Sequence, residues 1–276
     1  MNKKVGFIEV VFATCFMGSL GLFVKHLSSS VLILTFFRLF LPAVFLGIFF
    51  RKTITKTSIK AILGGVFLSL TIIFYIISIK KIGMATSVFE LYLGPILASV
   101  FSFIALKEPL EKFDIFCMLI ALSGLLVILK FKIDINIEAL YGLLSGIFYG
   151  LLITTNKAIK DNLISTSFFE FVAGSISTAF FMLFFKGNIN FILADIPLIV
   201  IMAVVCGLGG ITLMIAAIKN LSTTEFGVFS YLEVFFAVLF GVIAGETLSV
   251  EKIIGGGLIT AGGILMVVKS TIKGHL

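Results

Sequence analysis

Ten stretches of about 20 mostly apolar residues follow one another with short polar breaks, near 5–24, 31–50, 58–79, 84–106, 113–130, 139–157, 164–185, 198–218, 222–244 and 252–268. A helix of about 20 apolar residues covers the ~30 Å hydrocarbon layer of a bilayer, so each stretch predicts one crossing. The expected fold class is an all-α integral membrane protein with ten transmembrane helices. In 276 residues, ten crossings are expected to leave no room for a soluble domain. Only 13% of the residues are charged and the mean hydropathy is +1.24, so lipid is the solvent for most of the surface. The opening Met-Asn-Lys-Lys and its apolar run are read as a helix and not a signal peptide, because no clear small-residue cleavage site precedes Lys25.

A net charge of +7 would suggest nucleic acid in a soluble protein. Here the basic residues gather in the short connections, where they set topology, and no nucleic-acid partner is expected. With the N terminus inside, the inner connections hold thirteen lysines and arginines, among them Arg51, Lys107 and Lys157, against seven outside; Arg38 lies within a span. Both termini are therefore expected in the cytoplasm, with the protein in the cell membrane. Cys15, Cys117 and Cys206 sit in apolar runs and read as small filler. With His26 and His275 the only histidines, a histidine-built metal site or catalytic triad has no raw material. No metal, cofactor or enzymatic activity is expected, and no nucleotide-binding loop is present for ATP drive.

The chain resembles itself. A shift of 132 residues lays Thr35-Phe36-Phe37-Arg38 on Ser167-Phe168-Phe169-Glu170, and Lys25 on Lys157. A shift of 139 pairs Tyr92-Leu93 with Tyr231-Leu232, and a shift of 138 pairs Glu108 with Glu246. The matching blocks keep their order and nearly their spacing, which a duplicated five-helix unit explains: residues 1–131 and 132–276, together one transmembrane domain. Because five is odd, the second copy enters the membrane in the opposite sense. The expectation is two inverted repeats around a central cavity, the architecture of alternating-access transporters.

Several short patterns then acquire a common source. They are Phe36-Phe37-Arg38 in the second span, Ala85-Thr86-Ser87 through Leu93-Gly94-Pro95, Tyr231-Leu232-Glu233 before Ala237, and the Lys107-Glu108-Pro109-Leu110 and Gly245-Glu246-Thr247-Leu248 junctions. In their order and spacing the chain resembles the drug/metabolite transporter superfamily, in its ten-helix EamA-type branch, over nearly its whole length. The resemblance implies a basket of spans 1–4 and 6–9 with spans 5 and 10 at the periphery, and traffic in small metabolites such as amino acids. Val234 follows Glu233 where the family often has Pro, and Trp is absent.

An ionisable side chain in hydrocarbon costs upwards of ~2.5 kcal/mol, so each is expected to face a cavity. At 1.5 Å per residue Arg38 and Glu90 lie at similar depths, roughly 10 Å and roughly 9 Å below the outer surface, where they can pair and close the cavity, or Arg38 can grip a substrate carboxylate. Glu233, about 16 Å deep, is near the midplane with no obvious basic partner. Desolvation favours a neutral carboxyl, which makes Glu233 the first choice for proton coupling or for binding a cationic substrate. Glu170, the inverted mate of Arg38, is a candidate inner gate, while Glu9 and Glu225 read as interfacial. The hydroxyls of Tyr75, Tyr92, Tyr149 and Tyr231 need polar partners within the membrane, which a wet cavity or the membrane interface supplies, and Asn156 is read as hydrogen-bonding substrate or capping the end of its helix. Gly142, Gly146 and Gly150, and Gly241 and Gly245, read as close-packing faces. Pro95 and Pro42 are expected to kink their spans, and Glu108 and Glu246 to sit at the N termini of the fifth and tenth helices.

The expected function is a secondary transporter of small metabolites, with export as one direction and proton coupling or exchange as its drive. Its partners are a small-molecule substrate and the lipid bilayer, and the protein acts as a monomer or homodimer. The alternatives are a membrane-embedded enzyme on lipid or prenyl substrates and a non-transporting sensor or assembly subunit.

Overall fold

In lipid a backbone must satisfy its own hydrogen bonds, and each apolar stretch does so as a helix. The computed structural model describes residues 2–82, 84–131, 137–184, 189–245 and 248–272, and every regular element among them is helical. Among the described residues nine helices are long and apolar enough to cross a membrane: α1 (Lys3–Phe23), α2 (Leu32–Phe49), α3 (Ile59–Ser78), α4 (Ser87–Leu106), α6 (Ile137–Lys157), α7 (Leu163–Phe184), α8 (Leu193–Asn220), α9 (Thr223–Ile243) and α10 (Val250–Lys269). The remaining helix, α5 (Lys112–Ile128), has 17 residues, about 25 Å of length. It lies along α10, where Gly124 faces Gly255 and Ile259, and Gly262 faces Cys117. At one end of this pair Lys269 binds Asp114, and Glu111 at 3.0 Å.

Hydrogen bonds fix which ends share a face. At the face carrying the N terminus, Lys3 meets Glu225 at 2.7 Å and Thr57 donates to Asp161 at 2.6 Å. At the opposite face the Ser28 and Ser29 amides donate to Asp195 at 2.9 and 2.7 Å, and Lys130 meets Glu251 at 3.0 Å. The chain therefore crosses back and forth, and α1 and α6 start from opposite faces.

The packing repeats with the same offset. α1 packs on α8 and α9 as α6 packs on α3 and α4; α3 meets α7 as α8 meets α2; and α2 with α7, α4 with α9 and α5 with α10 are self-paired. Adding five to each helix number maps these principal pairs onto one another. A two-fold relation that exchanges halves of opposite entry has its axis in the membrane plane, the inverted architecture that an odd repeat requires.

Among the described residues four helices are irregular. α4 is interrupted at Tyr92 and Leu93, between Met84–Leu91 and Gly94–Leu106, because Pro95 cannot donate to the carbonyl of Leu91. Its mate α9 is interrupted at Tyr231 without a proline. α1 breaks at Ser19, and α8 widens to π winding over Ala203–Gly209. Pro42, by contrast, lies inside the uninterrupted helix Val31–Phe49. Proline removes a donor to the Arg38 carbonyl, and Gly207 of α8 comes up against that oxygen, so the gap is filled by a neighbouring helix.

Gly142, Gly146 and Gly150 form the expected close face, against Glu90 and Gly94 of α4. Gly245 departs from expectation: nothing stands within 4 Å of a Cβ added there and its φ is +90°, so it ends α9 in a turn that suits glycine. Glu246, expected near the start of α10, lies outside the described residues, as does the side chain of Lys25.

Candidate substrate and coupling site

The interruptions of α4 and α9 bring the mates Tyr92 and Tyr231 together at the pseudo-two-fold axis. Their ring centroids are 5.5 Å apart, and the fully buried Tyr231 donates its hydroxyl to the Tyr92 carbonyl at 2.8 Å. The Tyr92 side chain lies close to Glu233, two residues past the break in α9. Tyr75 of α3 and Tyr149 of α6 lie in the field of the same carboxylate. Three helices thus bring three tyrosines near one acid, and Tyr231 joins the group through its contact with Tyr92. Glu233 and Tyr75 are half-buried.

Arg38 completes this centre. The expected Arg38–Glu90 bridge is not among the ion pairs of the described residues; Arg38 instead lies within electrostatic reach of Glu233, with no direct ion pair between them among those residues. Its Nε and Nη2 donate to the Cys206 carbonyl at 3.4 and 3.2 Å. That oxygen lies in the π turn, where wider winding disturbs the ordinary ladder of carbonyls and amides. Cys206 is also more than filler, since its thiol donates to the Phe16 carbonyl at 3.2 Å and lies 3.6 Å from the Ser19 hydroxyl. No pattern in the sequence marked this residue, because its contribution to Arg38 is a backbone atom.

Glu90 stands apart from Arg38. Its carboxylate is pressed between α4 and Gly142 beside Ser78, with Oε2 unpartnered, and Ser78 and Ser87 share a 2.7 Å hydrogen bond. Glu170 and Asn156 form a second buried group, toward the face carrying the N terminus, where Glu170 rests on Gly64 and Gly65 of α3.

That face is closed by a polar network. Lys157 at the end of α6 donates to the carbonyls of Ile218 (3.3 Å) and Leu221 and lies 3.7 Å from Glu108. Glu108 accepts from the Thr223 amide at 3.1 Å, so it serves the N terminus of α9 and not that of α5 as expected. Glu225, expected at the interface, is buried, closing a capping box with Ser222 and pairing with Lys3. Glu9 accepts from Asn220 at 2.9 Å. In the adjoining loop the Thr57 hydroxyl and the Ser58 amide hold the Asp161 carboxyl below its ordinary range.

Among the described residues no cluster of three or more His, Cys, Asp or Glu could hold a metal ion. A phenylalanine-lined groove between α2 and α7 opens sideways through exposed Phe40, Ile48 and Ile176.

Fold and centre together define a multi-pass helical membrane protein with an inverted repeat and a charged aromatic interior. The model of the EamA-like transporter family matches this chain twice, over residues 4–130 and 136–268, and the chain belongs to that family. The resemblance to the drug/metabolite transporter superfamily agrees with this match, and the protein is a membrane transporter. An uncharacterized transporter of Archaeoglobus fulgidus is 25% identical over 263 residues, covering 94% of this chain and 95% of its own. A solved crystal structure superposes with a TM-score of 0.81 at 17% identity over 98% of both chains, a likeness of fold.

Proposed function

We propose that the protein is a secondary transporter that carries small metabolites across the cell membrane by alternating access, binding them at the Arg38–Glu233 centre. The observation that carries this reading is one cation, one carboxylate and four tyrosines, Tyr75, Tyr92, Tyr149 and Tyr231, gathered where the two halves meet. A guanidinium offers a planar fork to a carboxylate, and Glu233 offers a counter-charge to an amine. Amino acids and related compounds carry both groups, and aromatic walls suit their side chains.

Glu233 is also the coupling group in this reading. A carboxylate that serves substrate and proton in turn must sit where both can reach it, and its partial exposure inside the bundle supports that use. The halves divide at residues 131 and 132, and their exchange of conformation opens the centre to either side. The polar network around Lys157 and Glu108 closes one of those sides, which the lysine distribution assigns to the cytoplasm with both termini.

Counterflow in proteoliposomes tests the function. Vesicles loaded with unlabelled amino acids, amines and other small metabolites should accelerate entry of at least one labelled counterpart. No accelerated flux across the whole panel would remove the transport reading.

A further inference from the structure

We propose that Glu170 is a proton-binding site of its own, separate from the central carboxylate, and that Asn156 holds it in the protonated form. Glu170 of α7 and Asn156 of α6 are both 0% exposed. Asn156 acts on Glu170 at close range, yet both carboxyl oxygens and both amide atoms lack a hydrogen-bond partner of good geometry. The hydroxyl of Ser167, one turn earlier on α7, is also buried and unpartnered. Buried polar groups are nearly always paired, so such a concentration points to something the side chains hold.

Complementarity identifies it. An amide offers one acceptor oxygen and one NH2 donor, whereas an ionised carboxylate only accepts. Ionised Glu170 could receive Nδ2–H but would leave Asn156 Oδ1 facing another acceptor. A carboxyl group that has taken one proton from water gains an O–H donor and keeps a carbonyl acceptor. The two planar groups then close a ring of two hydrogen bonds, O–H to Oδ1 and Nδ2–H to the carboxyl carbonyl, and all four orphaned atoms are used. The wall of α3 leaves no room for a hydration shell: a Cβ at Gly64 would collide with Glu170 Oε1 and stand 3.0 Å from its Cδ.

The charged groups on the helices packed around Glu170 are committed elsewhere. Lys219 of α8 exerts a field on it but donates to Thr166 Oγ1 at 2.9 Å and to the Asp161 carbonyl at 2.7 Å. Lys157 of α6 serves the end of α8 and Glu108, and Lys60 at the start of α3 reaches the Ala158 carbonyl at 3.4 Å. Arg38 of α2 is on Cys206, and Asp161 takes Thr57 and Ser58. None supplies a contact counter-charge to an ionised Glu170.

The test is infrared difference spectroscopy of the protein in lipid vesicles as pH is stepped, in sodium or choline buffer and without substrate. At neutral pH the wild type should show the carbonyl stretch of a buried protonated carboxyl, absent from Glu170→Gln and retained by Glu233→Gln. In Asn156→Leu, which keeps the acid, the band should shift to the position of a weakly hydrogen-bonded carboxyl. An undiminished band in Glu170→Gln, or an unshifted one in Asn156→Leu, would overturn the assignment. A Glu170 carboxylate signal that changes when choline replaces sodium would also overturn it, in favour of a bound alkali cation. Because no flux is measured, failure here is distinct from failure of the transport reading.

Discussion

Replacing Lys157 by methionine keeps the apolar stem and removes the ammonium that ties α6 to α8 and to Glu108. The lost interactions are hydrogen bonds to the carbonyls of Ile218 and Leu221 and an ion pair at 3.7 Å, with the two side chains only 12% and 17% exposed. Exposed ion pairs contribute about 0–1 kcal/mol, whereas breaking a fully buried pair costs about 3–5 kcal/mol. The partial exposure and the 3.7 Å separation put this pair between those limits, at about 2 kcal/mol. If the network exists only when this face is closed, the closed population falls by about 30-fold relative to the open one, since ~1.4 kcal/mol is tenfold. Amide hydrogen exchange of residues 218–225 in nanodiscs should accelerate by about that factor. Glu108→Gln should do the same through the loss of its charge beside the Thr223 amide. The double variant should cost less than the sum of the two, because the residues share one interaction. Unchanged protection in both single variants would refute the closing role of this network.

Other perturbations act at single contacts. Tyr231→Phe removes the 2.8 Å bond to the Tyr92 carbonyl without changing packing, and should lower stability by about 1 kcal/mol in thermal unfolding while weakening substrate affinity. Gly142→Ala places a methyl group against the Glu90 carboxylate and 2.7 Å from Ser78 Oγ, and should destabilise by about 1–3 kcal/mol; Glu90→Ala in the same chain should recover part of the loss. Asp161 has a depressed pKa when folded, so its contribution is complete above the unfolded value of about 3.9 and is lost as pH falls through the lower folded value. Limited proteolysis of the 50–58 loop should therefore rise in that acid window, and Asp161→Asn should show the raised rate already at neutral pH.

The spans were legible because period and length are enough to recognise a crossing helix, and the inversion followed from an odd repeat. For the candidate residues, membership of one neighbourhood was more legible than pairing. Tyr92 and Tyr231 were matched through the 139-residue shift and do meet, and Arg38 and Glu233 were singled out as intramembrane charges. Depth along a helix axis, however, says nothing of azimuth, so Arg38 was paired with Glu90 at similar depth although the two face different neighbours. The π turn of α8 was invisible because it inserts no residue type of its own; only its consequence, a carbonyl available to Arg38, gives it meaning. Glu225 looked interfacial from its position, but a capping box and Lys3 draw it inward.

The most direct measurement compares wild type with Glu233→Gln in vesicles of one preparation, following counterflow without a gradient and net uptake driven by a pH gradient. Glutamine keeps the shape and the capacity to hydrogen-bond but cannot release a proton. The account predicts that exchange persists while gradient-driven uptake disappears. Gradient-driven uptake equal to wild type in Glu233→Gln would contradict it.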